Sequence, residues 1–282
     1  MNAKKIIILL ILIMFYSFSF CQDYWESIFS YEENIHCLAI NSIGYLFTGT
    51  SNGVFRSVDN GISWDQVLYV NYTKGIAINS QDQIFASPAP LYLSTSNGNY
   101  WDQLNLYYLY DVKNITVDTE DNIFVGFWGG ICKSSDNGAN WELVLSLSDC
   151  EVVNSIVENS EGVLFAGTIN FFGGGGVYLS TDQGDSWEHI GLENEYISSL
   201  AINSNDEIFA GSRGNHYEGI GGVFRSSDNG ETWTELCDDA LVTSIAIDSE
   251  DKIFIGCSFL YYGAVWVSED NGENWQLIES DL

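Results

Sequence analysis

One short pattern recurs six times along this chain and constrains its fold more than any other feature. Each copy, called the box here, reads S-x-D-x-G-x-x-W, with Ser96 in place of the aspartate in the second copy. The copies are FRSVDNGISW (55–64), YLSTSNGNYW (92–101), CKSSDNGANW (132–141), YLSTDQGDSW (178–187), FRSSDNGETW (224–233) and WVSEDNGENW (266–275). Their tryptophans are 37, 40, 46, 46 and 42 residues apart. A period of about 40–45 residues with strand-like segments is typical of propeller blades rather than of helical solenoids.

A second pattern precedes each box. It consists of two apolar runs joined by a polar turn, as in SLAINSNDEIFAG (199–211). Four short runs bounded by Gly, Asn and Asp turns match one antiparallel blade, in which the box joins the third strand to the fourth. No amphipathic helical periodicity follows residue 21. We therefore predict an all-β fold, a single β-propeller domain of six four-stranded blades over residues 22–282.

The closure of the ring has two solutions in the sequence. The segment Asp23–Ile28 resembles one more fourth strand, because Trp25 lies 39 residues before Trp64. We predict six blades, and the alternative is an incomplete seven-bladed ring.

The box has the chemistry of a tight hairpin. Its Asn-Gly pair supplies the positive φ values that such a turn needs, and its Asp and Ser can satisfy backbone N–H groups across the turn. Ser96 can still accept one bond, so we expect a weaker but intact second turn. The residues assigned this structural role are Ser57, Asp59, Gly61, Trp64, Ser94, Gly98, Trp101, Ser134, Asp136, Gly138, Trp141, Ser180, Asp182, Gly184, Trp187, Ser226, Asp228, Gly230, Trp233, Ser268, Asp270, Gly272 and Trp275.

These boxes resemble the Asp-box, or BNR, repeats of β-propeller proteins such as sialidases, sortilin-type receptors, xyloglucan hydrolases and a photosystem II assembly factor. The resemblance covers Asp23 to Leu282. It implies that the box is a structural hairpin away from the functional face. The alternative, Ca²⁺ binding by the Asp-Asn-Gly runs, lacks the alternating oxygen ligands of an EF-hand loop and the glycine-rich repeat of calcium β-rolls. We expect no metal and no cofactor.

The N-terminus predicts export. Lys4 and Lys5 precede an apolar run from Ile6 to Phe15, which is typical of a signal peptide, and we place its end at residue 21. The predicted location is secreted, periplasmic or at the cell surface, without an integral membrane segment after cleavage. In the alternative interpretation Cys21 is a lipidated N-terminus.

The five remaining cysteines form no CxxC pair, so we expect mostly buried thiols, with one disulfide compatible with an oxidising compartment.

The charge balance excludes some partners. The chain has 39 acidic and 9 basic residues and a formal net charge of −30, so we expect nucleic acid and anionic membrane surfaces to be poor partners. We expect the box carboxylates to form a solvated acidic rim, or a surface for cation-assisted docking, with those of the turn between the first two strands. The latter are Asp82, Asp121, Asp206, Asp248 and Asp251.

The opposite face carries the candidate binding residues. The connections between the second and third strands lengthen in the last three units, to 168–175, 212–221 and 257–263, and they are rich in aromatic residues. Aromatic loops on a rigid scaffold are common binding sites for sugars and proteins. The alternative is that these rings pack on one another and seal the ring. The candidates are Phe127, Trp128, Phe171, Phe172, His216, Tyr217, Tyr261 and Tyr262.

Enzyme chemistry finds little support in the sequence. A sialidase needs three clustered arginines, and this chain has only Arg56, Arg213 and Arg225, of which the first and last occupy the same box position. We predict a non-catalytic module that binds a protein or a glycan. The alternative is a glycoside hydrolase, which needs two flanking carboxylates. Its candidates are Glu193, Glu195, Glu218, Asp238 and Asp239.

Overall fold

The computed structural model describes residues 34–106, 111–148, 150–173, 175–214, 221–238, 240–259 and 262–279. Within these ranges the chain forms 24 β-strands and no helix. The strands make six antiparallel sheets of four strands each, every sheet from consecutive strands. The molecule is therefore a six-bladed β-propeller, which confirms the predicted fold class and blade number. The segment 23–28 that suggested a further strand lies outside the described residues.

The strands of each blade follow one another in chain order. Blades 1 and 2 contain β1 (Ile35–Ile40), β2 (Leu46–Thr50), β3 (Gly53–Ser57), β4 (Asp65–Tyr69), β5 (Ile76–Ile78), β6 (Ile84–Ala86), β7 (Tyr92–Ser94) and β8 (Asp102–Gln103). Blades 3 and 4 contain β9 (Asn114–Val117), β10 (Ile123–Phe127), β11 (Gly130–Ser134), β12 (Glu142–Ser146), β13 (Glu151–Glu158), β14 (Leu164–Asn170), β15 (Gly175–Ser180) and β16 (Glu188–Gly191). Blades 5 and 6 contain β17 (Ile197–Ile202), β18 (Ile208–Ser212), β19 (Val223–Ser226), β20 (Thr234–Cys237), β21 (Val242–Ile247), β22 (Ile253–Phe259), β23 (Tyr262–Ser268) and β24 (Gln276–Glu279).

The two ends of the propeller have different connections. First strands of successive blades contact one another from β1 through β21, so the first strand is the inner strand of each blade. The boxes and the turns between first and second strands share one end, the turn face, where Asn41 Nδ2 donates to Asn97 Oδ1 at 3.1 Å. The other connections share the opposite end, the loop face, where Gly129 N donates to Glu151 O at 2.9 Å. The predicted separation of the two kinds of connection is confirmed.

The core lies between the blades. One phenylalanine from each second strand is buried, with at most 4% of its surface exposed: Phe47, Phe85, Phe124, Phe165, Phe209 and Phe254. For the first five of these, the box tryptophan of the following blade packs into the same apolar cluster, as Trp187 does with Phe124 at a ring distance of 6.5 Å. The apolar area that stabilises this fold is therefore buried mainly between neighbouring sheets.

The box hairpins have the predicted geometry. In blade 1, Asn60 and Gly61 have φ values of 60° and 86°. The Ser57 hydroxyl accepts from Gly61 N and donates to Asp59 Oδ1, both at 2.8 Å, and the Trp64 indole N–H donates to Gly61 O at 3.1 Å. This pattern closes the turn from within.

The box of blade 2 shows what its serine retains. Ser96 Oγ accepts from Tyr100 N at 2.9 Å, and Gly98 N donates to Ser94 Oγ at 2.9 Å. An aspartate in the same place accepts from both the amide and the hydroxyl of Ser63 in blade 1. The second turn is therefore intact, and Ser96 accepts one bond across it where Asp59 accepts two.

The acidic residues of the other turns connect the blades. Asp82 accepts from the amide and the hydroxyl of Ser42 in the preceding blade. The same pair of bonds joins Ser80 to Asp121, Ser160 to Asp206 and Ser204 to Asp251. Blade 4 has Gly162 in this place, and Glu158 accepts the two bonds from Thr119 instead. The expected acidic rim is thus also a chain of contacts between blades.

Two loops predicted from the sequence are shorter than expected. We predicted connections over 168–175 and 257–263, but β14 continues to Asn170, β15 begins at Gly175, β22 reaches Phe259 and β23 begins at Tyr262. Pairing with the adjacent strand extends these segments, and glycine-rich or aromatic composition does not prevent that pairing. The five described cysteines, Cys37, Cys132, Cys150, Cys237 and Cys257, are free thiols.

A pair of glycine substitutions tests the packing of the box against the preceding blade. A Cβ on Gly184 would lie 2.2 Å from Phe124 Cε1, whereas a Cβ on Gly44 meets no atom within 4 Å, and both residues have positive φ. We expect Gly44→Ala to lower the free energy of unfolding by about 1 kcal/mol, from backbone strain alone. Gly184→Ala should cost about 3 kcal/mol, because Phe124 must move. Chemical denaturation measures both, and equal losses would contradict interblade packing at this turn.

Acid should remove the contribution of the box aspartates. Bonds from Ser186 and then Ser180 lower the pKa of Asp182 to about 2. Because an unfolded aspartate titrates near pH 4, its stabilisation is complete above about pH 4 and is lost as the pH falls toward 2. Asp182→Ser, which copies Ser96, should lower the melting temperature at pH 7, and the gap to the wild type should shrink below pH 4. Asp238→Ser, at an exposed site outside the boxes, is the control. A gap for Asp182→Ser that stays constant from pH 7 to pH 2 would contradict this account.

Candidate functional site

Two exposed aromatic rings stack on the loop face where blades 3 and 4 adjoin, and a third exposed aromatic residue follows them in the chain. The rings of Trp128 and Phe171 are stacked, with centroids 5.4 Å apart and planes at 16°. Phe172 follows directly and is 76% exposed. We call Trp128, Phe171 and Phe172 the aromatic platform. Exposed rings held in a fixed arrangement are typical anchors of binding surfaces.

Backbone bonds hold the aromatic platform in place. Trp128 forms an isolated antiparallel bridge with Val152, the second residue of β13. The amide of Phe171 donates to Cys150 O at 3.2 Å, so both stacked rings are attached to the segment that enters blade 4. Gly129, which follows Trp128 and its bridge to Val152, has a φ of 113°, a value that residues with a side chain rarely adopt. Phe171 and Phe172 lie in the short turn between β14 and β15, and backbone bonds hold the stacked rings against the segment that enters blade 4.

A buried carboxylate lies beside the attachment of the platform. Glu151 is only 7% exposed, and its Oε1 accepts from Thr168 Oγ1 at 2.8 Å and from Tyr178 OH at 3.3 Å. Burial, and then the charge and hydrogen bond of Glu151, raise the pKa of Tyr178 to about 12. The Tyr178 ring also meets the edge of His189 at 4.9 Å. This network fixes the start of β13, because its members satisfy one another away from water.

Blade 5 repeats the carboxylate contact. Glu195 occupies the position in blade 5 that Glu151 occupies in blade 4, because each lies two residues before an equivalent apolar residue, Ile197 or Val153. Glu195 accepts a hydrogen bond from Ser212 Oγ at 2.5 Å. Ser212 in turn matches Thr168 at the end of the second strand. Two successive blades thus carry a carboxylate on the loop face, each bonded to a hydroxyl of its own sheet.

A group of cationic side chains lies at the start of the inner strands of blades 1 to 3. The ammonium groups of Lys74 and Lys113 both bind the carboxylate of Asp111, at 2.5 and 2.6 Å. Burial favours a higher pKa for Asp111, but the two lysines outweigh it and lower that pKa. Burial, and then the charge of Lys74, lower the pKa of His36, which bonds to Ser51 Oγ at 3.2 Å. The sequence reasoning missed this group, although Lys74 and Lys113 occupy the same register position before β5 and β9.

The predicted site residues divide into three groups. Trp128, Phe171 and Phe172 come together as described. Phe127 was placed in a loop, which is wrong, since it ends β10 and is 8% exposed in the core between blades 2 and 3. Tyr262 begins β23 and does not lie in a loop. His216, Tyr217 and Tyr261 lie outside the described residues, as do Glu218 and Asp239.

Metal ligation, membrane crossing and the predicted hydrolytic carboxylates were the other sites to look for in the described part of the chain. Within it, no cluster of three or more His, Cys, Asp or Glu side chains has the arrangement of a metal site. The same residues include no helix of a length and hydropathy suited to crossing a membrane. Of the carboxylates proposed for hydrolysis, Glu193 and Asp238 are exposed and Glu195 binds Ser212.

Comparison with known proteins identifies the architecture. No protein-family model matches this sequence, and no curated protein matches it. Solved structures do match, beginning with the extracellular domain of the two-component system BT4673 from B. thetaiotaomicron, at 17% identity and a TM-score of 0.67 over 86% of this chain and 39% of that one. The GH74 xyloglucanase from Xanthomonas campestris has a TM-score of 0.72 at 14% identity over 87% of this chain and 45% of its own. YCF48 bound to a D1 peptide has a TM-score of 0.65 at 16% identity over 86% of this chain and 80% of its own.

These likenesses establish the fold. At such identities the shared feature is the propeller itself, and residues of the site cannot be transferred. The chain spans less than half the length of the BT4673 and GH74 chains, and four-fifths of the YCF48 chain.

Removal of the buried carboxylate tests its role at the platform. Glu151→Ala leaves the hydroxyls of Thr168 and Tyr178 without their acceptor and should cost about 1–3 kcal/mol of unfolding free energy. Glu151→Gln keeps an acceptor and should cost less. Its loss of charge should lower the pKa of Tyr178 from about 12, although burial keeps it above that of free tyrosine. NMR titration of the ¹³Cζ signal measures this pKa, and an unchanged value would contradict the assigned contact.

Proposed function

We propose that this protein is an exported, non-catalytic binding module that takes a peptide segment of a protein partner on its loop face. The aromatic platform is the observation that carries the proposal. It places a 76% exposed phenylalanine beside a stacked pair of rings at a blade junction. A soluble scaffold exposes such a surface at a cost in solubility, which a binding role explains.

Shape and neighbours favour a peptide over a sugar. Stacking of Trp128 on Phe171 occupies one face of each ring, which reduces the ring area on which a sugar can stack. The edges of the rings and the whole of Phe172 remain available for apolar side chains. This chain covers 80% of the YCF48 chain in the structure of YCF48 bound to a D1 peptide. These points support a protein partner and leave its identity open to experiment.

The family and location belong to the same proposal. The six boxes, with their Asn-Gly turns and tryptophan-capped hairpins, support membership of the Asp-box propellers. The apolar run before residue 21 and the likeness to extracellular domains support a secreted, periplasmic or cell-surface location.

A second function, glycoside hydrolysis, has the GH74 structures in its favour. It would use carboxylates on the loop face, and Glu151 and Glu195 are available there on adjacent blades. Glu151 is buried and engaged by two hydroxyls, which leaves it poorly placed to meet a polysaccharide. Turnover of a polysaccharide panel, abolished in Glu195→Gln, would establish this function instead.

The binding proposal is tested with a phage-displayed random peptide library selected on the immobilised protein. Selected peptides should lose at least about tenfold in affinity for Phe172→Ala, since truncation of a central aromatic anchor costs about 1.4 kcal/mol or more. Tyr100→Ala is the matched control, because Tyr100 is 81% exposed but belongs to a box on the turn face. Both variants should keep the wild-type melting temperature. Peptides that bind all three proteins equally, or binding only to a glycan array, would refute the proposal.

A further inference from the structure

The inner strands of the blades share one irregular position. Register shifts between Ile35 and Cys37 in β1, and at the matching places in β13, β17 and β21, leave one extra residue as a β-bulge. In blades 2 and 3 the matching residues are Lys74 and Lys113, which lie five residues before Asn79 and Asp118, at the polar turn after the first strand. Bulges re-aim a side chain out of the regular alternation of a strand. The six residues at this position, from blade 1 to blade 6, are His36, Lys74, Lys113, Asn154, Ser198 and Thr243.

The three residues of this set on blades 4 to 6 are neutral, and their side chains donate hydrogen bonds to backbone carbonyl groups. Ser198 Oγ donates to Val242 O at 2.6 Å, and Thr243 Oγ1 donates to Gly256 O at 3.0 Å. Asn154 Nδ2 donates to Ile197 O at 3.4 Å. These side chains bond to carbonyl groups of their own or the next blade, so their role is structural.

The half on blades 1 to 3 is basic, in a chain that has few basic residues. Four other described cations are engaged elsewhere: Arg56 with Asn97 O and Asn99, Lys133 with Asp185, Arg225 with Glu207 and Glu273, and Lys252 with Glu269. Lys74 and Lys113 instead share Asp111, although the chain offers 39 acidic residues. One carboxylate neutralises only one of the two ammonium charges. The group therefore keeps a local positive charge on a strongly negative molecule.

The basic group is accessible and lies on the same face of the propeller as the aromatic platform. The side chains of Lys74 and Lys113 are 29% and 26% exposed. Lys113 N donates to Gly126 O at 2.9 Å, and Gly126 lies two residues before Trp128 in the chain. Lys113 and Trp128 are therefore both carried by blade 3 at the loop face, where one extended peptide can pass from one to the other.

We propose that Lys74, Lys113 and His36 form a subsite for a single carboxylate of a bound peptide. The ammonium groups supply charge-assisted hydrogen bonds, and the His36 ring adds a neutral polar partner. The charge of −30 on the whole chain repels a polyanion, so an isolated carboxylate, and above all a chain terminus, fits this place best. The inference rests on the proposed peptide-binding function and adds the chemistry of one ligand group.

The test compares small probes by NMR titration of the ¹⁵N-labelled protein. N-acetylphenylalanine carries a terminal carboxylate, and N-acetylphenylalanine amide is its neutral match. The acid should bind at least about tenfold more tightly than the amide. N-acetylglutamate α-amide separates a side-chain carboxylate from a terminal one, and glucuronate represents an acidic sugar. Preference for either peptide-like acid supports the subsite and identifies the source of its carboxylate.

Three variants attribute the binding. Lys74→Gln and Lys113→Gln should each weaken binding of the preferred acid about tenfold, toward the affinity of the amide, at an unchanged melting temperature. Lys133→Gln is the matched control, since that lysine pairs with Asp185 at the third strand next to a box. Equal affinity of acid and amide, no saturable shift with either peptide-like acid, or unchanged binding in Lys113→Gln would overturn the subsite. Binding of glucuronate alone would overturn the peptide assignment.

The two proposals fail in different ways. If phage-selected peptides ignore Phe172→Ala while Lys113→Gln still abolishes the preference for an acid, the platform is wrong and the carboxylate subsite stands. If the peptides need Phe172 but acid and amide bind alike, the platform stands and the subsite is wrong.

Discussion

Every blade of this protein depends on the contact between one box and the preceding blade. The box must turn within two residues, and its glycine must come close to a neighbouring side chain, such as Phe124 beneath Gly184 or Phe47 beneath Gly98. The serine and aspartate of the box satisfy the turn from within, which leaves the tryptophan free to cover the apolar junction. A four-stranded sheet cannot bury both of its faces by itself, so this contact supplies the core that each sheet lacks.

The acidic composition follows largely from the same construction. Box aspartates accept backbone amides within their turn, and aspartates of the other turns accept from the serine of the blade before. Hydrogen bonds from Ser63 and then Ser57 lower the pKa of Asp59 to about 2, so its charge persists in mild acid. The large negative charge is therefore partly a structural requirement of the turn face. On the loop face, the shared Asp111 and the buried Glu151 take part in different arrangements.

The loop face combines two surfaces of unlike chemistry. Trp128 and Phe171 present stacked rings at the junction of blades 3 and 4, and Lys74 and Lys113 present positive charge at blades 1 to 3. Backbone pairing fixes both, through the bridge to Val152 and through the inner strands. A rigid scaffold that holds an apolar and a cationic surface side by side suits a ligand with an apolar residue and a carboxylate.

Local sequence sufficed for the fold, because its determinants act within a few residues. Asn-Gly turns, alternating apolar runs and a period near 40–45 residues predicted strands, hairpins and six blades. The exposed rings of Trp128, Phe171 and Phe172 were also predicted. Phe127 was misplaced because strand pairing, which decides where a strand ends, involves residues distant in the chain. The basic group could not be predicted, since Lys74, Asp111 and Lys113 meet only when successive inner strands are brought side by side around one axis.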